Sequence, residues 1–187
     1  MIPETIRQPH WNNDVDWLYI QGLSKAIESV PINYIRECSR KRKFHLERIF
    51  SYELYYRWSR LLERKQENPE HLFLNAELVK HYDEMRDYKF PDLVLHGDYI
   101  NREKQYIICE IKSSRNQITE DALKKDLESL QNGIWRLLYK CGVFIYLGNN
   151  STKMVSRLRT ILQTFENYVG NIIFIGVNCG VPHYEIL

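Results

Sequence analysis

Asp92, Glu110 and Lys112 are the side chains of this 187-residue sequence whose types and spacing could do chemistry. Asp92 follows Pro91 at the head of the apolar run Leu93-Val94-Leu95-His96, and Glu110 and Lys112 flank Ile111 at the end of the run that starts at Tyr106. Runs this short and this rich in Val, Ile, Leu and Tyr read as strands, and the polar stretch from Asp98 to Lys104 turns the chain back between them. Strand side chains alternate in facing. Asp92, Val94 and His96 therefore share one face of the first strand, and Ile108, Glu110 and Lys112 share one face of the second. A pairing that sets Asp92 beside Glu110 brings two carboxylates and an ammonium to one spot. Carboxylates among apolar strands are costly to bury without a partner, and a divalent cation is the natural one. Mg²⁺ is typically held by one or two carboxylates together with waters and phosphate oxygens. Lys112 then reaches a metal-bound water or the phosphate that it attacks.

The hairpin needs elements around it to hold this geometry. From Phe44 to about Leu62, Leu46, Ile49, Phe50, Leu54, Trp58, Leu61 and Leu62 recur at three- and four-residue steps, which predicts a helix packed on the core. Glu53 lies at the edge of that stripe, where it either pairs with Arg57 one turn on or faces the carboxylates of the hairpin. Glu47 is assigned to orienting the helix or Arg48. After a linker at Gln66 to Glu70, the segment from His71 to His81 alternates like a strand at Leu72, Leu74, Ala76 and Leu78, yet also suits a helix. Thr119 is the expected N-cap of a helix through Lys140 with an apolar stripe of Leu123, Leu127, Leu130, Ile134 and Leu138. Lys124, Lys125 and Gln131 fall on its solvent face. A strand at Val143 to Leu147, a helix at Met154 to Val169 and a strand at Ile172 to Val177 complete the chain, with parallel pairing expected where helices connect strands. Near the start, Leu23, Ile27 and Val30 predict a short amphipathic helix before Pro31.

Pro91-Asp92 followed by Glu110-Ile111-Lys112 at the end of the next apolar strand resembles the PD-(D/E)XK nuclease superfamily, the restriction-endonuclease-like proteins. Glu47-Arg48-Ile49-Phe50-Ser51-Tyr52-Glu53-Leu54-Tyr55-Tyr56-Arg57-Trp58 resembles the first helix of its bacterial branch, which carries an acidic residue facing the active site. The resemblance spans residues 44–148 and implies an α/β fold with a restriction-endonuclease-like αβββαβ core, a mixed central sheet flanked by helices. The segment 71–81 is then a strand, with Glu77 pointing either to solvent or towards the metal. Residues 149–187 append a C-terminal helix and strand, residues 1–40 form an N-terminal helical extension, and 1–187 is one nuclease-like domain. The implied activity is metal-dependent hydrolysis of nucleic-acid phosphodiester bonds, with DNA the expected polymer, leaving 5′-phosphate and 3′-hydroxyl ends. Asp92 and Glu110 would bind Mg²⁺ or Mn²⁺ with the carbonyl of Ile111, and Glu53 would bind it through water or hold a second ion. Lys112 would position or polarise the attacking water, and beside two carboxylates it is expected to stay charged. His96 is either a phosphate contact or a packed core residue. The alternative is a catalytically silent nucleic-acid-binding or complex-forming module on the same fold, against which intact Asp92, Glu110 and Lys112 argue.

Whole-chain charge adds little, because 26 Lys plus Arg stand against 24 Asp plus Glu, so nucleic-acid affinity has to come from local clusters. Arg40, Lys41, Arg42 and Lys43 form one such cluster just before the first core helix, readable as a phosphate track or as a solvated lead-in. Lys124 and Lys125 offer another. Cys38, Cys109, Cys141 and Cys179 make no CxxC pair, and Met1-Ile2-Pro3-Glu4 shows no secretory leader. The expectation is free thiols, no zinc and a cytoplasmic setting. The longest apolar runs fall short of the roughly 20 residues of a membrane span. A chain of this length fits one domain, and a homodimer stays open as its assembly.

Overall fold

Alternation along the central strands sorts their side chains into two apolar layers, and the architecture follows from which helices cover each layer. The computed structural model describes residues 14–31, 34, 46–76, 91–97, 104–114, 118–168, 170–178 and 181–187. Six strands form one mixed sheet in chain order: β1 (Phe73–Ala76), β2 (Leu93–His96), β3 (Gln105–Ser113), β4 (Cys141–Leu147), β5 (Ile172–Asn178) and β6 (Val181–Ile186). The first three are antiparallel neighbours, β3, β4 and β5 run parallel, and β6 returns antiparallel to β5. Among the described residues four helices flank this sheet: α1 (Asp14–Ser29), α2 (Leu46–Leu62), α3 (Glu120–Leu137) and α4 (Ser151–Leu162). The parallel pairs require crossovers, which α3 supplies between β3 and β4 and α4 between β4 and β5.

Odd-numbered strand residues, among them Leu93, Leu95, Ile107, Cys109, Ile111, Val143, Ile145, Ile173 and Ile175, share one core with α1 and α2. Even-numbered residues, among them Val94, Ile108, Phe144, Tyr146, Ile172 and Phe174, share the other with α3 and α4. Tyr106 breaks the parity because Leu95 pairs with Ile107 and His96 with Gln105, so the ladder skips it. Its ring meets Tyr19 of α1 edge-on, with centroids 4.9 Å apart, and Lys140 Nζ lies 4.1 Å from its centre while pairing with Asp16 at 2.7 Å. Residues of the expected N-terminal extension thus belong to the core: Trp17, Tyr19, Ile20, Leu23 and Ile27 of α1 are all buried in it.

The element bounds differ from expectation for local reasons. Thr119 caps α3 by accepting from the Ala122 amide at 3.2 Å, and the helix stops at Leu137 because Leu138 turns left-handed, with φ 62°. Helix α4 ends seven residues before Val169, as the amides of Thr164 and Phe165 bond back only three residues, to Ile161 and Leu162. Phe165 and Tyr168 still pack on the same core. Strand β6 was not expected, since Pro182, His183 and Glu185 carry no apolar signal. It lies at the sheet's edge, where the missing N–H of Pro182 is tolerated, and its Tyr184 hydroxyl meets Ser24 Oγ of α1 at 2.6 Å. Of the 71–81 segment, Phe73–Ala76 is a strand, while Glu77 lies outside the described residues. No helix among the described residues is long and apolar enough to cross a membrane.

Burial gives the fold an alkaline limit. Desolvation raises the phenols of Tyr19, Tyr168 and Tyr184 from 10.0 to about 12 each. A raised phenol keeps its proton in the folded chain while the unfolded chain has lost it, so its stabilisation is complete below pH 10 and fades as pH rises towards 12. Denaturant midpoints are expected to be flat up to about pH 9 and to fall between 10 and 12. A midpoint unchanged at pH 11 would show that these phenols titrate alike in both states.

Candidate functional site

The end of β3 collects charged side chains from three other elements. The β2–β3 ladder runs to Leu93 opposite Cys109, and the Asp92 amide still bonds the Cys109 carbonyl at 3.0 Å. One step further the Asp92 carboxylate replaces the backbone: its Oδ2 accepts from the Ile111 amide at 2.6 Å. Asp92 thereby supplies the acceptor that a strand amide requires. Pro91 lacks a donor of its own, which suits the residue before this switch.

Helix α3 runs against β3 in the opposite direction, and the matched contacts step along both. Gly133 lies against Ile108, where a Cβ would come within 2.5 Å of Ile108 Cδ1, so the position tolerates little beyond hydrogen. Next, Ser129 Oγ donates to Glu110 Oε1 at 2.8 Å. Then Lys112 Nζ stands 3.1 Å from Asp126 Oδ2, the two side chains being 16% and 2% exposed. Two residues of strand and three or four of helix cover similar distances, roughly 5 to 7 Å, which keeps the two in step. Glu110 has no exposed surface at all. From the opposite face, Glu47 in the first turn of α2 reaches over and accepts from the Ser113 amide through Oε1 at 2.8 Å.

The carboxylates of Asp92, Asp126 and Glu47 therefore contact the residues from Glu110 to Ser113, which themselves carry the Glu110 carboxylate and the Lys112 ammonium. Burial pushes the Cys109 thiol far up, and the nearby Cys141, Asp92 and Glu110 add to the rise, so it stays protonated between the two acidic positions. The donors are all oxygen, which suits a hard cation of the Mg²⁺ or Mn²⁺ kind over zinc. Asp92 and Glu110 fit the one or two carboxylates such an ion takes from a protein. Among the described residues no group of three or more His, Cys, Asp or Glu is gathered as a cage.

The other sequence-derived candidates fall in varied places. Ile111 touches the site through its amide, the contact that Asp92 accepts. Glu53 is held by Arg57, at 2.8 Å from Nε and 2.7 Å from Nη2, and lies about 9 Å further along α2 than Glu47. The α2 carboxylate that reaches β3 is Glu47. His96 shares a face with Asp92 but sits at the far end of β2, about 13 Å along the strand. It is buried, with Nδ1 2.6 Å from the Gly97 carbonyl and Nε2 2.6 Å from Asn75 Nδ2. A carbonyl only accepts, so Nδ1 carries a proton, and the ring is packed in the core beside Asn75. Lys124 and Lys125 are exposed on α3, in the turn before Asp126. Arg40, Lys41, Arg42 and Lys43 lie outside the described residues.

Glu47, Asp126 and Ser129 were not expected to make these contacts, and the sequence carries a signal for the first two. Glu47 begins the stripe that continues through Phe50, Ser51, Leu54 and Trp58, all of them buried. Asp126 stands inside the stripe of Leu123, Leu127, Leu130 and Ile134, and a carboxylate on a helix's apolar face implies a partner across the packing interface. Scanned against protein-family models and against curated proteins, the chain matches none.

Proposed function

We propose that this chain is a metal-dependent nuclease with a restriction-endonuclease-like core, acting on nucleic acid and on DNA first. The observation that carries the proposal is that Asp92, Glu110 and Lys112 each make their contacts at one end of β3, in an element order of helix, three strands, helix and strand. That order and the antiparallel-then-parallel sheet suit the αβββαβ core that the sequence resembles. Asp92 and Glu110 would hold Mg²⁺ or Mn²⁺, which when bound stabilises charge developing on the scissile phosphate. Lys112, held by Asp126, would orient the attacking water, and Ser129 would fix the rotamer of Glu110. Glu47 would keep the end of β3 in place. The products expected from this chemistry carry 5′-phosphate and 3′-hydroxyl ends.

The full burial of Glu110, and the partners that Ser129 and Asp126 provide on α3, also suit a second reading: a catalytically silent nucleic-acid-binding module. One experiment separates the two. Labelled DNA and RNA, single-stranded and duplex, are incubated with the protein in Mg²⁺, Mn²⁺ or EDTA. Cleavage is expected only with metal, and Glu110→Gln is expected to lower it at least about a hundredfold while leaving nucleic-acid binding in EDTA unchanged. Binding without cleavage of any substrate in either metal would select the silent module.

A further inference from the structure

Helix α2 carries a second feature on the side away from the core. Tyr52 and Tyr56 are 48% and 55% exposed, and Ile49 beside them is 40% exposed. Side chains four apart on a helix are neighbours on its surface, so the two rings stand in a row along the axis. Each has a guanidinium against it. Arg48 lies with its guanidinium carbon 5.5 Å from the Tyr52 ring centre and its Nε 2.8 Å from the Tyr52 hydroxyl. Arg57 lies 6.0 Å from the Tyr56 ring centre while also pairing with Glu53. The row runs along the outer side of α2, whereas Glu47, which reaches Ser113, belongs to the core-facing stripe of the same helix.

We infer that Tyr52 and Tyr56 form a stacking platform for the bases of a single-stranded nucleic acid on the outer side of α2, the helix whose inner side sends Glu47 to the end of β3. The inference rests on the nucleic-acid reading of that site and narrows it to single strands. Exposed aromatic rings accept any base on their faces, and arginine beside them draws the phosphate chain, so the combination binds single strands without sequence preference. The spacing selects against a continuous stack. Four helical residues advance about 6 Å, whereas successive bases in a stacked strand are about 3.4 Å apart, so each ring takes its own unstacked base. A duplex keeps its bases inside and offers these rings nothing to stack on.

The test is fluorescence anisotropy in EDTA, where no cleavage can occur, with the full chain and a labelled oligothymidylate, against a duplex of the same length. Tyr52→Ala and Tyr56→Ala are each expected to weaken single-strand binding about 5- to 150-fold, with Tyr52→Phe and Tyr56→Phe close to the parent. Duplex binding should not move. Arg48→Ala is expected to lower the log-log salt slope for the single strand by about 0.7. Both tyrosines are exposed on a helix, so alanine should leave the fold intact, and circular dichroism with a denaturant midpoint confirms it for each variant. The inference is overturned if the parent does not bind the oligothymidylate, if the double alanine variant binds it as tightly as the parent, or if duplex affinity falls equally. Metal-dependent cleavage is measured alongside. Cleavage with no effect of the tyrosines removes the platform and keeps the nuclease, whereas tyrosine-dependent binding without cleavage keeps the platform and removes the nuclease.

Discussion

Lys112→Ala is expected to lower metal-dependent cleavage by about two to four orders of magnitude while calorimetric metal binding stays at the parent level. The lysine is not a proposed metal ligand, and its contribution is to the water or the phosphate. The structure adds a second consequence. Asp126 is 2% exposed and would lose the Lys112 ion pair, and removing one partner of a buried ion pair costs about 3 to 5 kcal/mol. Lys112 keeps 16% of its side-chain surface, so the lower end of that range applies. A control is needed to keep loss of fold from passing as loss of chemistry. Lys112→Met with Asp126→Leu replaces the pair by apolar side chains of similar volume, a change that is often neutral or stabilising. The double variant should recover most of the denaturant midpoint and none of the cleavage. If metal binding falls with Lys112→Ala as steeply as cleavage does, the lysine organises the site and does not act on water. If the double variant regains cleavage, Lys112 has no role in the reaction.

Trp58→Ala is expected to destabilise the fold by about 3 to 5 kcal/mol, as for other fully buried aromatic truncations. Trp58 is wholly buried in the layer between α1, α2 and the sheet, and its indole nitrogen faces Gly22 of α1, where a Cβ would stand 3.6 Å away. The indole N–H has no hydrogen-bond partner among the described residues. Trp58→Phe removes that unsatisfied donor and less volume, so it should cost clearly less than the alanine change. Because α2 also carries Glu47, the alanine variant is expected to loosen the Glu47 contact with Ser113 and to raise hydrogen exchange at that amide. Urea melts and exchange at the Ser113 amide measure both effects. Equal midpoints for the alanine and phenylalanine variants would show that a phenyl ring fills none of the space that the indole fills.

Much of the site was determined by local sequence. Period-two alternation in Leu93 to His96 and in Tyr106 to Ile111 placed Val94 and Ile108 on one face, and the structure has both in the core under α3 and α4. The period of three and four residues marked α2 and α3, and the Thr119 cap gave the start of α3 to the residue. These patterns are legible because each depends on neighbours a few residues away. Strand β6 escaped because an edge strand buries only part of its surface, so selection for an apolar pattern is weak there, and Pro182 argues against a strand until its edge position is known. For the acidic residue of α2 the sequence reading takes Glu53 for the site and leaves Glu47 to orient the helix or Arg48, whereas it is Glu47 that meets β3. Glu53 lies within reach of Arg57 on the same helix, whereas Glu47 meets Ser113 across 66 positions of sequence. The same holds for Ser129 with Glu110 and Asp126 with Lys112, 19 and 14 positions apart. Only the crossover that lays α3 antiparallel on β3 sets those partners opposite each other, and that packing depends on Gly133 yielding room to Ile108.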